Sequence, residues 1–237
     1  MQVTLLQHVK QFGQTTQHAL VIGDVMLDRY LIGDVSRISP EAPVPIVLLK
    51  KQSECAGGAS NVAANLALLG IKTHILGCIG KDAEGQSLTQ LIQASNIDTK
   101  GLVTSGHRPT IAKTRILGGH QQMMRLDQES HASFNQEESA LVLSAFNAAL
   151  ALQPAIVILS DYAKGLLTTE VCQTIIQACR QAKIPVLVDP KGHDYSKYQG
   201  ATALTPNKKE TAEACHTSVN DAALIEKAQQ LKARLGL

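Results

Sequence analysis

Short apolar runs at 19–22, 73–78, 155–159 and 185–188 recur along the chain, separated by longer segments whose apolar positions return every three or four residues. A short continuous apolar run between turn residues is the mark of a strand buried on both faces. Its alternation with helical segments predicts a parallel sheet with helices on either side. Helices are predicted over 59–69, stopped by Gly70; over 84–95; over 136–150, with Asn135 as N-cap; over 169–182; and over 221–235, stopped by Gly236. Two stretches break this rhythm. Residues 30–51 carry Pro40, Pro43 and Pro45 and read as extended chain with a strand at either end. Residues 101–127 read as a β-hairpin, the run from Thr110 to Ile116 turning at Gly118-Gly119 into a second run that ends near Leu126. Inserted after sheet strands, the two stretches would assemble into one small sheet standing over a ligand crevice, a lid.

At 237 residues and 44% hydrophobic, the chain has enough material for one substantial α/β core and a small appendage. The net charge of +2 is spread without runs, so no basic tract argues for nucleic acid or a membrane surface. The apolar runs are far too short to cross a bilayer. Leu5, Leu6, Val9 and Phe12 fall at near-helical spacing, without the charged segment or cleavage site of an export signal, and a cytoplasmic location is the default expectation. The five cysteines, Cys55, Cys78, Cys172, Cys179 and Cys215, form no C-x-x-C pair and have no histidine at metal-ligand spacing. They are expected to be reduced and mostly buried, with Cys172 and Cys179 packed on one face of a helix.

Candidate chemistry gathers where strands end and helices begin, the place where an open α/β sheet collects its ligands. Asp24 and Asp28 follow the first strand, and at least one carboxylate there should reach sugar hydroxyls, although either could equally cap a loop. Gly57-Gly58-Ala59-Ser60-Asn61 opens a helix, where paired glycines let backbone amides approach a polar ligand and Asn61 adds a side-chain amide. No strand is predicted to end at Gly57 and no third glycine follows, which weakens a dinucleotide-binding reading. Lys164 and Lys191 emerge just after neighbouring strands, Lys191 beside Asp189, and can present ammonium groups to phosphates. Pro206-Asn207-Lys208-Lys209-Glu210 starts a helix. Asn207 and Glu210 have the spacing of a capping box and could also hold the water shell of a magnesium ion carrying nucleotide phosphates.

This ordered set resembles the ribokinase (PfkB) family of carbohydrate kinases. Three segments are more narrowly similar to its D-glycero-β-D-manno-heptose 7-phosphate kinases: Gly23-Asp24-Val25-Met26-Leu27-Asp28-Arg29-Tyr30, Ser36-Arg37-Ile38-Ser39-Pro40-Glu41-Ala42-Pro43-Val44-Pro45 and Gln121-Gln122-Met123-Met124-Arg125-Leu126-Asp127. The resemblance runs from about Val21 to the end. It implies a ribokinase-like three-layer α/β/α core with a small β-sheet lid that also forms a homodimer interface, and ATP with Mg2+ as the phosphate donor. It further implies phosphorylation of heptose 7-phosphate at C1 in lipopolysaccharide core synthesis, in a parent protein that also carries a fused adenylyltransferase domain. By that pattern Asp24 or Asp28, Gly57, Gly58 and Asn61 hold the sugar, and Lys164 and Arg125 are candidates for its 7-phosphate. Asp189, Lys191, Asn207, Lys208, Lys209 and Glu210 lie on the nucleotide and metal side. The family's general base, the Asp of a Gly-Ala-Gly-Asp loop, has no counterpart before Leu237; the expectation is that it lies beyond, that the C-terminal part of the fold is missing, and that this chain alone does not turn over. A non-catalytic sugar-phosphate-binding fragment, a kinase for another sugar and a nicotinamide-dependent oxidoreductase are the competing readings.

Overall fold

A computed structural model of the chain describes residues 16–130, 132, 134–220 and 222–237. The Leu5–Phe12 spacing and the start of the last predicted helix at Asp221 lie outside the described residues. In chain order, β1 (His18–Gly23) leads into two long strands, β2 (Val25–Ile38) and β3 (Pro45–Gly58), then helix α1 (Ala59–Leu68), β4 (Lys72–Gly80), α2 (Ala83–Ala94) and β5 (Asp98–Ser105). A hairpin of β6 (Ala112–Gly118) and β7 (Gln121–Gln128) precedes α3 (Gln136–Leu150), β8 (Ile156–Ser160), α4 (Thr169–Gln181) and β9 (Val186–Asp189). A 3-10 turn at Ser196–Tyr198, β10 (Ala203–Leu204), α5 (Lys208–Ala214) and α6 (Leu224–Leu235) complete the described chain.

Six strands form a parallel sheet in the order β10-β9-β8-β1-β4-β5. Because successive strand residues point to opposite faces, the apolar runs split between two cores. Leu20, Ile22, Leu76, Val157, Leu159 and Val188 pack with Phe146 of α3 and Ile175 of α4. Val21 and Ile75 face the other way, onto Ala59 and Ala63 of α1 and Leu88 and Ile92 of α2. This is the three-layer α/β/α arrangement, and it explains why β1, with five residues in a row almost wholly buried, reads as an unbroken apolar run. The cysteines behave as filling. Cys78, Cys172 and Cys179 are buried and no described cysteine is bridged, and burial pushes the Cys78 and Cys179 thiols up to about 11 and that of Cys172 to about 12.

The lid is a second, four-stranded sheet in the order β3-β2-β6-β7, antiparallel except for the β2–β6 pair. Its boundaries differ from the sequence expectation in two ways. Residues 101–105 belong to β5, paired parallel with β4 in the core sheet, so the second lid segment begins at Ala112 rather than at 101. The first segment is longer than 30–51: β2 starts at Val25 and β3 runs on to Gly58, so a strand does end at the paired glycines. Arg29 of β2 pairs within the lid with Glu54 of β3 at 2.6 Å and ties the lid to the core through Glu84 of α2 at 3.4 Å. Nearby, the Asp82 carboxylate caps α2 by accepting from the Gly85 amide at 2.8 Å, and accepts from the Thr110 amide and hydroxyl at 2.8 and 2.6 Å, fixing the entry to β6. No helix among the described residues is long and apolar enough to cross a membrane.

Candidate functional site in the crevice between core and lid

The crevice lies over the carboxyl ends of β1, β8 and β9, with the lid along one side. Asp24, the single residue between β1 and β2, is buried. Its Oδ2 accepts from the amides of Tyr162 at 2.9 Å and Lys164 at 3.1 Å, and its carbonyl accepts from the Ala59 amide at 3.0 Å. Burial raises its carboxyl above the usual carboxylate range, and the two amides only partly oppose that. Asp24 thus organises the ends of β1 and β8 and the start of α1 through Oδ2 and its carbonyl oxygen.

Asp28 is differently placed. It lies on the lid with its carboxylate against the backbone of β3 and receives Arg115 of β6. Gly57 makes this possible. A Cβ there would fall well inside contact distance of Asp28 Oδ2 and 3.0 Å from its Cγ, so only glycine leaves room for the carboxylate. Gly58 has φ +58° and turns the chain from β3 directly into α1, whose N-terminus has no side-chain cap. Ser60 in that first turn is buried with no hydrogen-bond partner for its hydroxyl, while Asn61 is exposed.

The lid ladder puts Cys55, Asp28, Lys113, Arg115, Arg125 and Asp127 on one face, because Asp28 pairs with Cys55 and Lys113, and Arg115 lies directly opposite Arg125. Arg125 is held by Asp127 at 2.7 and 2.8 Å and is half exposed. Lys113 pairs with Asp127 at 3.2 Å. Glu129, just beyond β7, receives Lys164 at 2.7 Å and lies 3.7 Å from Lys113, so the core lysine and the lid lysine share one carboxylate. Lys164 and Arg125 are therefore brought to the same side of the crevice without touching one another. Arg115, Lys113 and Glu129 escaped the sequence reading. The alternation of 111–116 places 113 and 115 on one face, and that was the available signal.

On the other side, Asp189 ends β9 in register with Ser160. Its carboxyl is pushed up by burial and by the neighbouring Glu210, with Lys191 opposing. Lys191 Nζ donates to Glu210 Oε1 at 3.0 Å. Asn207 and Glu210 form a reciprocal capping box at the start of α5, with the Glu210 amide donating to Asn207 Oδ1 at 2.9 Å and the Asn207 amide to Glu210 Oε2 at 3.0 Å. Lys208 is exposed, and Lys209 points along the helix to Glu213 at 3.8 Å. Between the two sides stands Tyr162, whose phenol is shifted up by burial, then by Asp189 and Asp28, with Lys191 opposing. It too was missed, since nothing in a lone tyrosine after a strand marks it.

Comparison with known proteins agrees with this geometry. Residues 16–236 match the model of the pfkB family carbohydrate kinases. The chain is 60% identical over 233 residues to the bifunctional protein HldE of Methylobacillus flagellatus, covering 98% of this chain and 47% of that protein. It is 48% identical to that of Koribacter versatilis, covering 98% and 48%. The chain thus spans about half the length of these relatives. Among solved structures, Arabidopsis thaliana ribokinase complexed with ribose and ATP superposes with a TM-score of 0.65 at 17% identity, over 93% of this chain and 70% of that one. The tetrameric inhibited form of Escherichia coli phosphofructokinase-2 gives 0.71 at 19%, over 93% and 71%. Asp28 seated against Gly57, the uncapped start of α1 and the lysines after β8 and β9 thus occupy a ribokinase-like frame, and the chain belongs to the PfkB family of carbohydrate kinases.

Proposed function

We propose that the protein transfers the γ-phosphoryl group of ATP to the C1 hydroxyl of D-glycero-β-D-manno-heptose 7-phosphate, and that the crevice and lid described above are its sugar-binding part. The observation that carries this reading is the polar lid face, where Asp28 offers carboxylate oxygens to sugar hydroxyls beside a group of cations suited to a second, distant phosphate. The identity to HldE proteins supports the choice of sugar. In this assignment Asp28 accepts from the sugar hydroxyls and Arg115 orients it, Gly57, Gly58 and Asn61 line the same wall, and Asp24 holds that wall together. Lys164 and Arg125, with Lys113 and Arg115 beside them, receive the 7-phosphate.

The nucleotide belongs on the side of Asp189, Lys191 and Asn207–Glu210, where exposed Lys208 and, on leaving Glu213, Lys209 can approach its phosphates. Glu210 is committed to Asn207 and Lys191, and no group of three or more His, Cys, Asp or Glu stands together as a metal site among the described residues. Two carboxylates beside one ammonium nevertheless suit a magnesium ion that keeps its own waters, with Asp189 and Glu210 facing that shell. Bound with the nucleotide, magnesium supplies neutralisation of phosphate charge. In the transfer the C1 oxygen bonds to the γ-phosphorus, the bond to the β-phosphate oxygen breaks and ADP leaves, and the hydroxyl proton passes to a base. Asp24 and Asp28 are both engaged, so the reading assigns that base to neither. The lid's outer face exposes Met124 and Leu126, which supports a homodimer through the lid, and the remaining half of the HldE relatives accommodates a fused adenylyltransferase.

The test is ADP release by the full-length protein with ATP and heptose 7-phosphate, with ribose and fructose 6-phosphate as comparators. Turnover that prefers the heptose phosphate supports the assignment, and equal or greater turnover with either comparator overturns the substrate.

A further inference from the structure

The loop after β8, residues 161–165, has an uncommon backbone. Ala163 has φ +56° and Gly165 φ +104°. A left-handed alanine is disfavoured by its own Cβ, and persists where surrounding groups over-determine it. Two buried carboxylates do so here. Asp161 Oδ1 accepts from the Ala163 amide at 2.6 Å, and Asp24 Oδ2 accepts from the amides on either side, those of Tyr162 and Lys164. The result is a loop whose two outward side chains, Tyr162 and Lys164, are aimed at the crevice by hydrogen bonds made beneath them.

Asp161 is in turn held from the next loop. Its Oδ2 receives Lys197 Nζ at 2.5 Å and the Tyr198 hydroxyl at 2.7 Å. Lys197 also donates to the Leu167 carbonyl at 3.1 Å. Tyr198 is fully buried, and a phenol has one proton. With that proton spent on Asp161, the same oxygen is an acceptor towards the Lys191 amide, which lies 3.2 Å away. The Asp161 amide closes a second tie by donating to the Asp189 carbonyl at 3.0 Å. One continuous set of hydrogen bonds therefore runs from Asp24 through the 161–165 loop, Asp161 and Tyr198 to Lys191, and on through the Lys191 ammonium to Glu210. Stability alone is a poor reason for such a set. Burying an aspartate and a phenol beside a half-buried lysine costs desolvation that well-packed apolar side chains avoid. What the polar set adds is a fixed relation between two loops, each of which presents a lysine.

Building on the function proposed above, we propose that Asp161 and Tyr198 are positioning residues that lock the 161–165 loop on the sugar side to the 189–191 loop on the nucleotide side, so that sugar phosphate and nucleotide bind cooperatively through the Tyr198 hydroxyl. Neither residue touches a ligand in this scheme. Nucleotide that settles on Lys191 orders the phenol's acceptor contact, and the phenol holds Asp161 and hence Tyr162 and Lys164 in the binding position.

The experiment is calorimetric titration of the full-length protein with heptose 7-phosphate, with and without saturating magnesium and a non-hydrolysable ATP analogue, for the wild type, Tyr198→Phe, Asp161→Asn and Val142→Ala. The last, a buried core residue of α3, controls for general destabilisation. The wild type is expected to bind the sugar phosphate at least about 5-fold more tightly when nucleotide is present. In Tyr198→Phe that ratio falls to about one while the affinity for each ligand alone changes less than about threefold, and Val142→Ala keeps the wild-type ratio. Tyr198→Phe preserves the ring and its packing, so it decides the matter even if Asp161→Asn fails to fold. A ratio of one in the wild type, or an unchanged ratio in Tyr198→Phe, overturns the coupling and leaves the function standing. Absence of heptose 7-phosphate binding to the wild type overturns the function, and the coupling with it.

Discussion

Gly57→Ala is a small change with a large and specific expected effect. The new methyl would overlap Asp28 Oδ2 and sit 3.0 Å from both Asp28 Cγ and Met26 Cγ. Met26 ends in a flexible thioether and can shift. Asp28 cannot move without leaving Arg115, whose guanidinium has side-chain exposure of only 24%. The methyl therefore forces a choice between overpacking, at about 1–3 kcal/mol, and separation of a partly buried ion pair, which falls in the same range once the pair's exposure is taken into account. A loss of about 2 kcal/mol corresponds to a melting point lower by about 4–8 °C in a chain of this size. Heptose 7-phosphate affinity is expected to fall by about 10–100-fold, since the carboxylate that accepts its hydroxyls is displaced. The discriminating measurement is the same substitution in an Asp28→Ala background. With the carboxylate gone, the methyl is left with only the flexible Met26 side chain at 3.0 Å, and the extra loss of stability should shrink to less than about 0.5 kcal/mol. If Gly57→Ala costs as much there as in the wild type, the glycine is required by backbone conformation or by some other neighbour, and the argument for Asp28 as the seated sugar ligand loses its steric basis.

Three further outcomes are expected. Phe146→Ala, which removes a fully buried ring between α3 and the sheet, should cost about 3–5 kcal/mol in urea denaturation; a cost under 1 kcal/mol would show that this core is loosely packed. Burial would raise the Asp82 carboxyl, yet the Thr110 hydroxyl and amide and the Gly85 amide together hold it below its ordinary value. A depressed carboxyl adds stability above the unfolded-state pKa that is lost as the pH falls through the folded value, so Asp82→Asn should flatten the decline in stability between about pH 5 and pH 3, and an unchanged acid limb would contradict the assignment. In the lid, Met124→Glu with Leu126→Glu should convert a dimer to a monomer in light scattering while leaving the far-ultraviolet spectrum intact; a wild-type monomer at tens of micromolar would remove the lid interface.

The parallel core was legible because β1, β4, β8 and β9 are buried on both faces and so announce themselves as apolar runs. The N-caps were legible for an equally local reason: Asn135 and Asn207 each bond to the amide three residues on, with glutamate returning the bond. Strand β5 was not, since Asp98-Thr99-Lys100-Gly101 carries no apolar signal and the strand is defined by its pairing with β4. The same holds for the end of β3, where paired glycines resemble a break and are required by what lies across from them. In the site, residue types were readable and partners were not. Asp28 and Arg115 are 87 positions apart, and Tyr198 meets Asp161 across 37. Such contacts are set by the order of strands in the sheet, which no local window contains. Asp24 illustrates the limit best: its position after β1 was readable, while the amides of Tyr162 and Lys164 that bond to its Oδ2 lie 138 and 140 positions away.

Asp24 alone separates β1 from β2, and β3 passes into α1 with no residue between them. On this side the lid has no linker. Any rotation of the lid against the core must be absorbed as torsion at Gly23-Asp24 and Gly57-Gly58, the residues that form the wall of the crevice. In the proposed function the pivot and the sugar-binding wall are the same few peptide units, so substitutions that loosen the pivot are expected to register first as faster departure of the sugar.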